Sequence, residues 1–395
     1  MRVNRLQLFD YRNFHRLDIE IPSETALFIG ANAQGKTNLL EAVYLLATLR
    51  GLRVETDAQF IRKDVLSDPL PVARIVADAE TSEGPLKLEV AVVARPGARG
   101  PIATKTVKVN GAPKRLADAV GRLTAVLFSA DDLLMIEGPP SLRRRYIDLM
   151  VMQFDRNYAA ARSRYERVIT QRNHLLKRIR HGEANAEELT FWDDELSKDG
   201  GLLMQRRASA LGEIGALAAE HHLALAPDEA LDVRYEPRLE PRPDAHSSGE
   251  QFAAALGEAL ARGLSRDIAA GMTLQGPHRD DVSLKLNGAA AAGYASRAQQ
   301  RTIALSLRLA EAEVLRRRRG EPPVLLLDDV LSEMDAARRT AVLSSLGDVQ
   351  QLMITGTDWD RFSPEFACTA SRFAVEDGAV RPLTEAEVTE RTAGS

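Results

Sequence analysis

In 395 residues the chain carries one cysteine, Cys368. A single thiol excludes an internal disulfide and a cysteine-based metal site, and it suits a reducing compartment. Apolar runs of about eighteen residues are missing as well, which leaves no candidate membrane span. The amino terminus, Met1-Arg2-Val3-Asn4-Arg5, leads into alternating strand residues rather than the apolar core of an export signal, so a cytoplasmic address is expected. Nor is there an excess of positive charge. With 52 basic and 56 acidic residues the net charge is -4, and any nucleic-acid surface has to be a local patch. Internal repeats and sustained heptads are absent, which excludes a long coiled coil. What remains, at 45% hydrophobic content, is a chain able to bury more than one core, either as two domains or as one domain with a large insertion.

The most informative stretch is Gly30-Ala31-Asn32-Ala33-Gln34-Gly35-Lys36-Thr37, which fits G-x-x-x-x-G-K-[ST] at every fixed position. A triphosphate is chelated by successive backbone N–H groups, which converge only where glycine lets the chain bend tightly. Gly30 and Gly35 give that freedom. Lys36 brings a charge to the β- and γ-phosphates, Thr37 offers a hydroxyl to Mg²⁺, and the following helix adds the positive end of its dipole. The alternative is a plain glycine-rich turn. Flanking sequence argues against it, because Ala26-Leu27-Phe28-Ile29 predicts a buried strand and Leu39 to Leu46 a helix.

Ahead of this loop, Val3, Leu6 and Leu8, then Leu17, Ile19 and Ile21, predict two strands around the turn Tyr11-Arg12-Asn13-Phe14. The turn is either bland or a place where Arg12 reaches a nucleotide. From about residue 72 to 128 the pattern stays strand-like, with a hairpin signal at Asn110-Gly111, so antiparallel strands should flank the nucleotide site. Helical spacing takes over near residue 130. Helices are expected over Asp155 to His181, Ala186 to Leu225 and Phe252 to Leu264, with the proline-rich run Glu236 to Pro243 as an irregular connection. The expected division is therefore 1–129 with 271–395 as an α/β head, lobe I, and 130–270 as a mostly helical arm, lobe II.

Beyond residue 270, Gln275-Gly276-Pro277-His278-Arg279-Asp280-Asp281 reads as an ordered polar loop rather than a metal site, since its spacing matches no zinc pattern. Ser296, with Gln299 three residues on, forms a capping box before a helix. That is a helix start, and by the same physics a second anion site, open to the γ-phosphate of a partner subunit. Val324-Leu325-Leu326-Leu327 then forms an apolar strand ending in Asp328 and Asp329. Asp328 is placed to hold the Mg²⁺ shell, and Asp329, one step further out, to orient or deprotonate the attacking water.

The order of these parts resembles the ABC-type ATPase heads, and among them the RecF family. The resemblance extends over essentially the whole chain: Leu8 to Phe14, Leu127 to Leu133, Gly138 to Asp148, Ser163-Arg164-Tyr165, Gln171-Arg172-Asn173, Gly276 to Asp281 and Asp328 to Glu333. It implies an ABC-type P-loop head with flanking antiparallel strands, and an ATP-dependent homodimer with two nucleotides sandwiched between heads. The residues from Gly30 to Thr37, namely Gly30, Ala31, Asn32, Ala33, Gln34, Gly35, Lys36 and Thr37, would bind ATP, with Thr37 and Asp328 on Mg²⁺. Asp329 would serve hydrolysis, and Ser296 and Asp335 would act in trans. It further implies DNA as partner, gapped, at single-strand/double-strand junctions, or duplex. RecO and RecR would assist in loading RecA at single-strand gaps. Three departures stand out: Ala298 replaces the usual signature glycine, Leu352 to Asp358 offers no histidine, and Asp329 stands for glutamate, which suggests slow turnover suited to a switch. The DNA candidates are Arg143, Arg144 and Arg145, with Arg162, Arg164, Arg167 and Arg172, whereas Arg316 to Arg319 reads as a solvated helix end. An ABC transporter ATPase and a P-loop small-molecule kinase are the competing readings.

Overall fold

The computed structural model describes residues 1–51, 56–97, 100–330, 350–359, 362, 366, 369–384 and 387. They form two compact units, Met1–Ala130 with Glu311–Ser395, and Asp131–Ala310. The first unit opens with β1 (Arg2–Tyr11), β2 (Phe14–Glu20), β3 (Thr25–Ile29) and α1 (Lys36–Thr48). It continues through β4 (Val72–Thr81), β5 (Gly84–Arg95), β6 (Ile102–Val109), β7 (Ala112–Lys114), α2 (Leu116–Ala119) and β8 (Ala125–Ser129). The second unit holds α3 (Leu133–Glu137), α4 (Pro140–Phe154), α5 (Arg156–Arg180), α6 (Thr190–Leu225), β9 (Leu231–Glu236) and α7 (Gly249–Ala270). It also holds β10 (Asp281–Leu286), β11 (Ala289–Ala290), α8 (Ala291–Tyr294) and the start of α9 (Arg297–Arg319), which carries the chain back to the first unit. There the chain adds β12 (Val324–Asp328), β13 (Leu352–Gly356), β14 (Ser371–Glu376) and β15 (Ala379–Pro382).

Two sheets build the first unit. One is antiparallel, in the order β2-β1-β4-β5-β6-β7. A register shift between Val3 and Arg5 resets the alternation of β1, so that Val3, Leu6 and Leu8 all point inward although their numbers change parity. The other sheet runs β15-β14-β3-β13-β12-β8, and every neighbour pair except β14 with β15 is parallel. β8, β12 and β13 are buried along their whole length, which is why they read as unbroken apolar runs rather than alternating ones.

The second unit is mostly helical. Asp155 caps α5 by accepting from the Tyr158 N–H at 3.0 Å, and Ser248 and Gln251 close a capping box on α7. The second unit also contains a three-stranded sheet, β11-β10-β9. That sheet moves the division expected from sequence: β10 pairs in register with β9 from Asp281↔Glu236 to Leu286↔Leu231, which ties residues 281–286 into the second unit. The chain therefore rejoins the first unit at Glu311, not at residue 271. Among the described residues no helix is long and apolar enough to cross a membrane.

Candidate functional site

The phosphate loop joins β3 to α1. Gly35 has φ 109° as the residue before the helix, and Ala33 has φ 65°, a left-handed conformation that is costly for a residue with a Cβ. Glycine at 30 is required by close approach: a Cβ there would fall on the Val375 carbonyl. A Cβ at Gly35 would run into the Asn13 amide. α1 has no acidic residue in its own first turn, so no side chain of the helix itself offsets the positive end of its dipole beside the loop. Lys36 is 7% exposed, and its Nζ donates to Gly30 O at 2.5 Å and Ala31 O at 2.8 Å. Burial lowers the pKa of its ammonium below the usual lysine value, against the opposing pull of Asp329, Asp328 and Asp358.

The opposite wall is the carboxyl end of β12. β13 lies between β3 and β12, and its register places Thr355 beside Phe28 on one side and Asp328 on the other. Thr37 Oγ1 donates to Asp328 Oδ1 at 2.9 Å, and Thr355 Oγ1 donates to the same oxygen at 3.0 Å. Thr355 Oγ1 also accepts from the Asp329 N–H at 2.9 Å. Asp329 takes a left-handed φ of 57°, which turns it out of line with the strand at the point where β12 stops. Asp335 and the rest of Ser332 to Asp335 lie outside the described residues.

Three supports of this site carry no motif. Asn13 donates to Gln34 O at 3.0 Å and accepts from Asn38 at 2.8 Å, which pins the loop to the β1–β2 turn. Gln34 Oε1 accepts from the Asp377 N–H at 2.5 Å, so the Asp377-Gly378 turn between β14 and β15 clasps the loop from the other side. Asp-Gly between alternating apolar residues is a hairpin signal that could have found this turn, whereas a lone threonine at 355 has none. Arg12 is committed elsewhere: its guanidinium binds Glu41 with contacts of 2.7 to 2.9 Å and covers the Phe60 ring.

In the second unit, Ser296 caps α9. Its Oγ accepts from the Gln299 N–H at 3.3 Å, and its own N–H donates to Gln299 Oε1 at 2.8 Å. Gln299 Nε2 then donates to Glu229, whose other oxygen meets buried His222, so the start of α9 is bonded to the end of α6. The arginine run expected to face DNA is half-buried and makes bonds within the second unit. Arg143 binds both oxygens of Asp281, at 2.7 and 3.0 Å, and donates to Gly138 O. Arg144 donates to Asp280 O at 2.7 Å, and Arg145 is half-buried. The reason is the β9–β10 pairing, which brings the Gly276 to Asp281 loop against α4.

That loop is ordered by its own bonds. Tyr165 OH meets His278 Nδ1 at 2.7 Å while His278 Nε2 meets the Thr273 carbonyl at 3.1 Å, which requires a proton on Nε2. Burial pulls the His278 pKa down to about 4. Deeper still, Asp148 accepts from Tyr158, Arg162 and Arg207. Burial pushes the Asp148 carboxyl up, but Arg207 and Arg162 overcome it and leave it below its usual value. Arg172, fully buried, binds Asp193 at 2.6 Å and Asp267 at 2.7 Å. Several of the remote segments in the sequence resemblance thus meet in one polar interior.

A phosphate loop facing a carboxylate-tipped strand, beside an antiparallel sheet and joined to a helical lobe, defines an ABC-type P-loop ATPase head. The family model for the RecF/RecN/SMC N terminal domain matches residues 2–364. The chain belongs to this family, and within it to the RecF proteins of DNA replication and repair. It is 41% identical to the DNA replication and repair protein RecF of Chloroflexus aurantiacus, over 96% of this chain and 99% of that one. To the RecF of Herpetosiphon aurantiacus it is 40% identical, over 97% and 100%. A solved structure of the recombination mediator protein RecF with ATP, of the RecFOR pathway, superposes with a TM-score of 0.84 at 28% identity, covering 97% of this chain and 98% of that chain.

Proposed function

We propose that this protein is an ATP-dependent DNA-binding switch of recombinational repair and replication. The observation that carries the reading is the convergence of Thr37 and Thr355 on Asp328 beside Lys36. Among the described residues no cluster of three or more metal-ligating side chains exists. The donor pair Thr37 and Asp328 nevertheless fits Mg²⁺, which is bound through one or two protein oxygens together with waters and substrate phosphates. When bound, the ion neutralises charge on the β- and γ-phosphates. The protein's part is positional: Thr355 fixes Asp328, the backbone of Gly30 to Thr37 cradles the phosphates, and Lys36 exchanges its loop carbonyls for phosphate oxygens. Asp329 orients the attacking water. Being a methylene shorter than glutamate, it gives slow hydrolysis suited to release rather than to work.

Ser296 and Asp335 complete the site from a second copy, so ATP closes a homodimer and hydrolysis opens it. The closed dimer binds gapped or duplex DNA in the cytoplasm and acts with RecO and RecR to help load RecA. Family membership weighs against a transporter subunit or a small-molecule kinase. Sedimentation with ATP and with ADP, each with and without gapped DNA, tests the proposal. A dimer and a DNA complex formed with ATP, and lost with ADP or in Lys36→Ala, are expected. A monomer that ignores DNA in every condition ends it.

A further inference from the structure

The proline-rich run that sequence leaves as a mere connection forms one wall of a cleft of about 770 Å³ in the second unit. Arg238, Arg242, Arg262 and Arg266 line it, together with Glu236 and Glu240. The backbone of this wall is anchored. Arg238 N–H donates to buried Asp280 at 2.8 Å, Leu239 is buried, and Glu240 O accepts from Arg262. Proline at 237, 241 and 243 fixes φ at three places, which reduces the backbone entropy to be lost on binding. Among the described residues the guanidinium groups other than that of Arg262 are not so engaged. All four arginines are exposed, and among the described residues only Arg262 has a carboxylate partner, Glu258 at 3.2 Å. Asp281, which also lines the cleft, is already neutralised by Arg143.

We propose that this cleft holds the phosphodiester backbone of DNA, a site that rests on the DNA-binding reading above and gives it a location. Planar guanidinium forks match phosphate oxygens, and four of them face two carboxylates that Asp281 does not join. Those two carboxylates choose between polyanions. Glu236 and Glu240 repel phosphates and peptide carboxylates alike, but only a nucleic acid also brings base amino groups for them to accept. Two of the arginines lie on the loop after β9 and two on α7, so the cationic wall is set by the fold rather than by one mobile segment.

Binding of a fluorescent gapped duplex in ATP, titrated against salt, tests the site in the full-length protein. The double variant Arg242→Glu with Arg266→Glu alters two exposed side chains that have no ion-pair partner among the described residues. Its DNA affinity is expected to fall at least about tenfold, and the slope of log affinity against log salt to drop by about 1 for each phosphate contact removed. ATP affinity should equal that of the unaltered protein. Wild-type DNA affinity and slope in the variant would overturn the cleft and leave the DNA-binding reading standing. Absence of ATP-dependent DNA binding by the unaltered protein would remove both. Competition by polyglutamate as strong as by unlabelled DNA of equal charge would give the cleft to an acidic partner and overturn the proposal.

Discussion

Thr37 and Asp328 are 291 positions apart, yet the threonine hydroxyl donates to the aspartate carboxylate over 2.9 Å. The first residue ends the phosphate loop and the second ends an apolar strand. Their meeting makes two separate motifs into one site, and Thr355, between them, is the side chain that holds the acid in place.

Thr355→Val tests that role. The change keeps shape but removes the donor to Asp328 and leaves the Asp329 N–H without its acceptor. A stability loss of about 1–3 kcal/mol is expected from urea unfolding. The more telling result is a fall in ATP affinity with Mg²⁺ present and little change in its absence. An equal fall in both conditions would show a purely structural role.

Asp329→Asn should keep ATP binding and slow hydrolysis by about 10²-fold or more, in the range for removal of a positioned base. The ATP-induced dimer should then persist longer after ATP is withdrawn. Phosphate release and sedimentation read the two effects, and unchanged turnover would take Asp329 out of the reaction.

Lys36→Ala removes the ammonium that burial holds beside Gly30 and Ala31. Fluorescent ATP should no longer bind at micromolar concentration, and dimerisation and DNA binding should both be lost. The apo protein should remain folded by circular dichroism.

Asp148 is a buried anion that Tyr158, Arg162 and Arg207 converge on. Asp148→Ala leaves Arg207 buried without its charge partner and should cost about 3–5 kcal/mol in thermal or urea unfolding. Tyr158→Phe removes one neutral donor and should cost less.

His278 gives the second unit a dependence on pH. Its pKa is about 4 in the folded protein against 6.5 for a free side chain, so between these values the unfolded chain binds the extra proton. Stability from this group is complete above about pH 6.5 and falls as the pH drops toward 4, by at most about 1.4 kcal/mol per unit. Urea midpoints at pH 7 and pH 5 should diverge more in the unaltered protein than in His278→Gln.

Much of the site is legible in the chain. The phosphate loop is a local demand on backbone, with glycine wherever the chain bends or another main chain comes close, and Gly30 and Gly35 meet it. Val324 to Asp328 announces itself because a strand covered on both faces must be apolar to its end. Ser296 with Gln299 declares a helix start. The partners of Arg143 and Arg144 are not legible, since a run of arginines looks the same whether it faces solvent or carboxylates, and Asp281 lies far along the chain. The short strand Leu231–Glu236 is lost among its prolines, and with it the boundary of the second unit.

Sequence by itself determined the glycine-bent loop, the acid-tipped strand and the capped start of α9, because each depends on forces that act within one turn or one strand. Tertiary structure decided which acid each arginine meets, which threonine steadies Asp328, and where the chain returns to the head. Those contacts join residues more than a hundred positions apart in several cases, such as Arg143 with Asp281. They follow from strand order and register, which many sequences of the same local pattern could have satisfied differently.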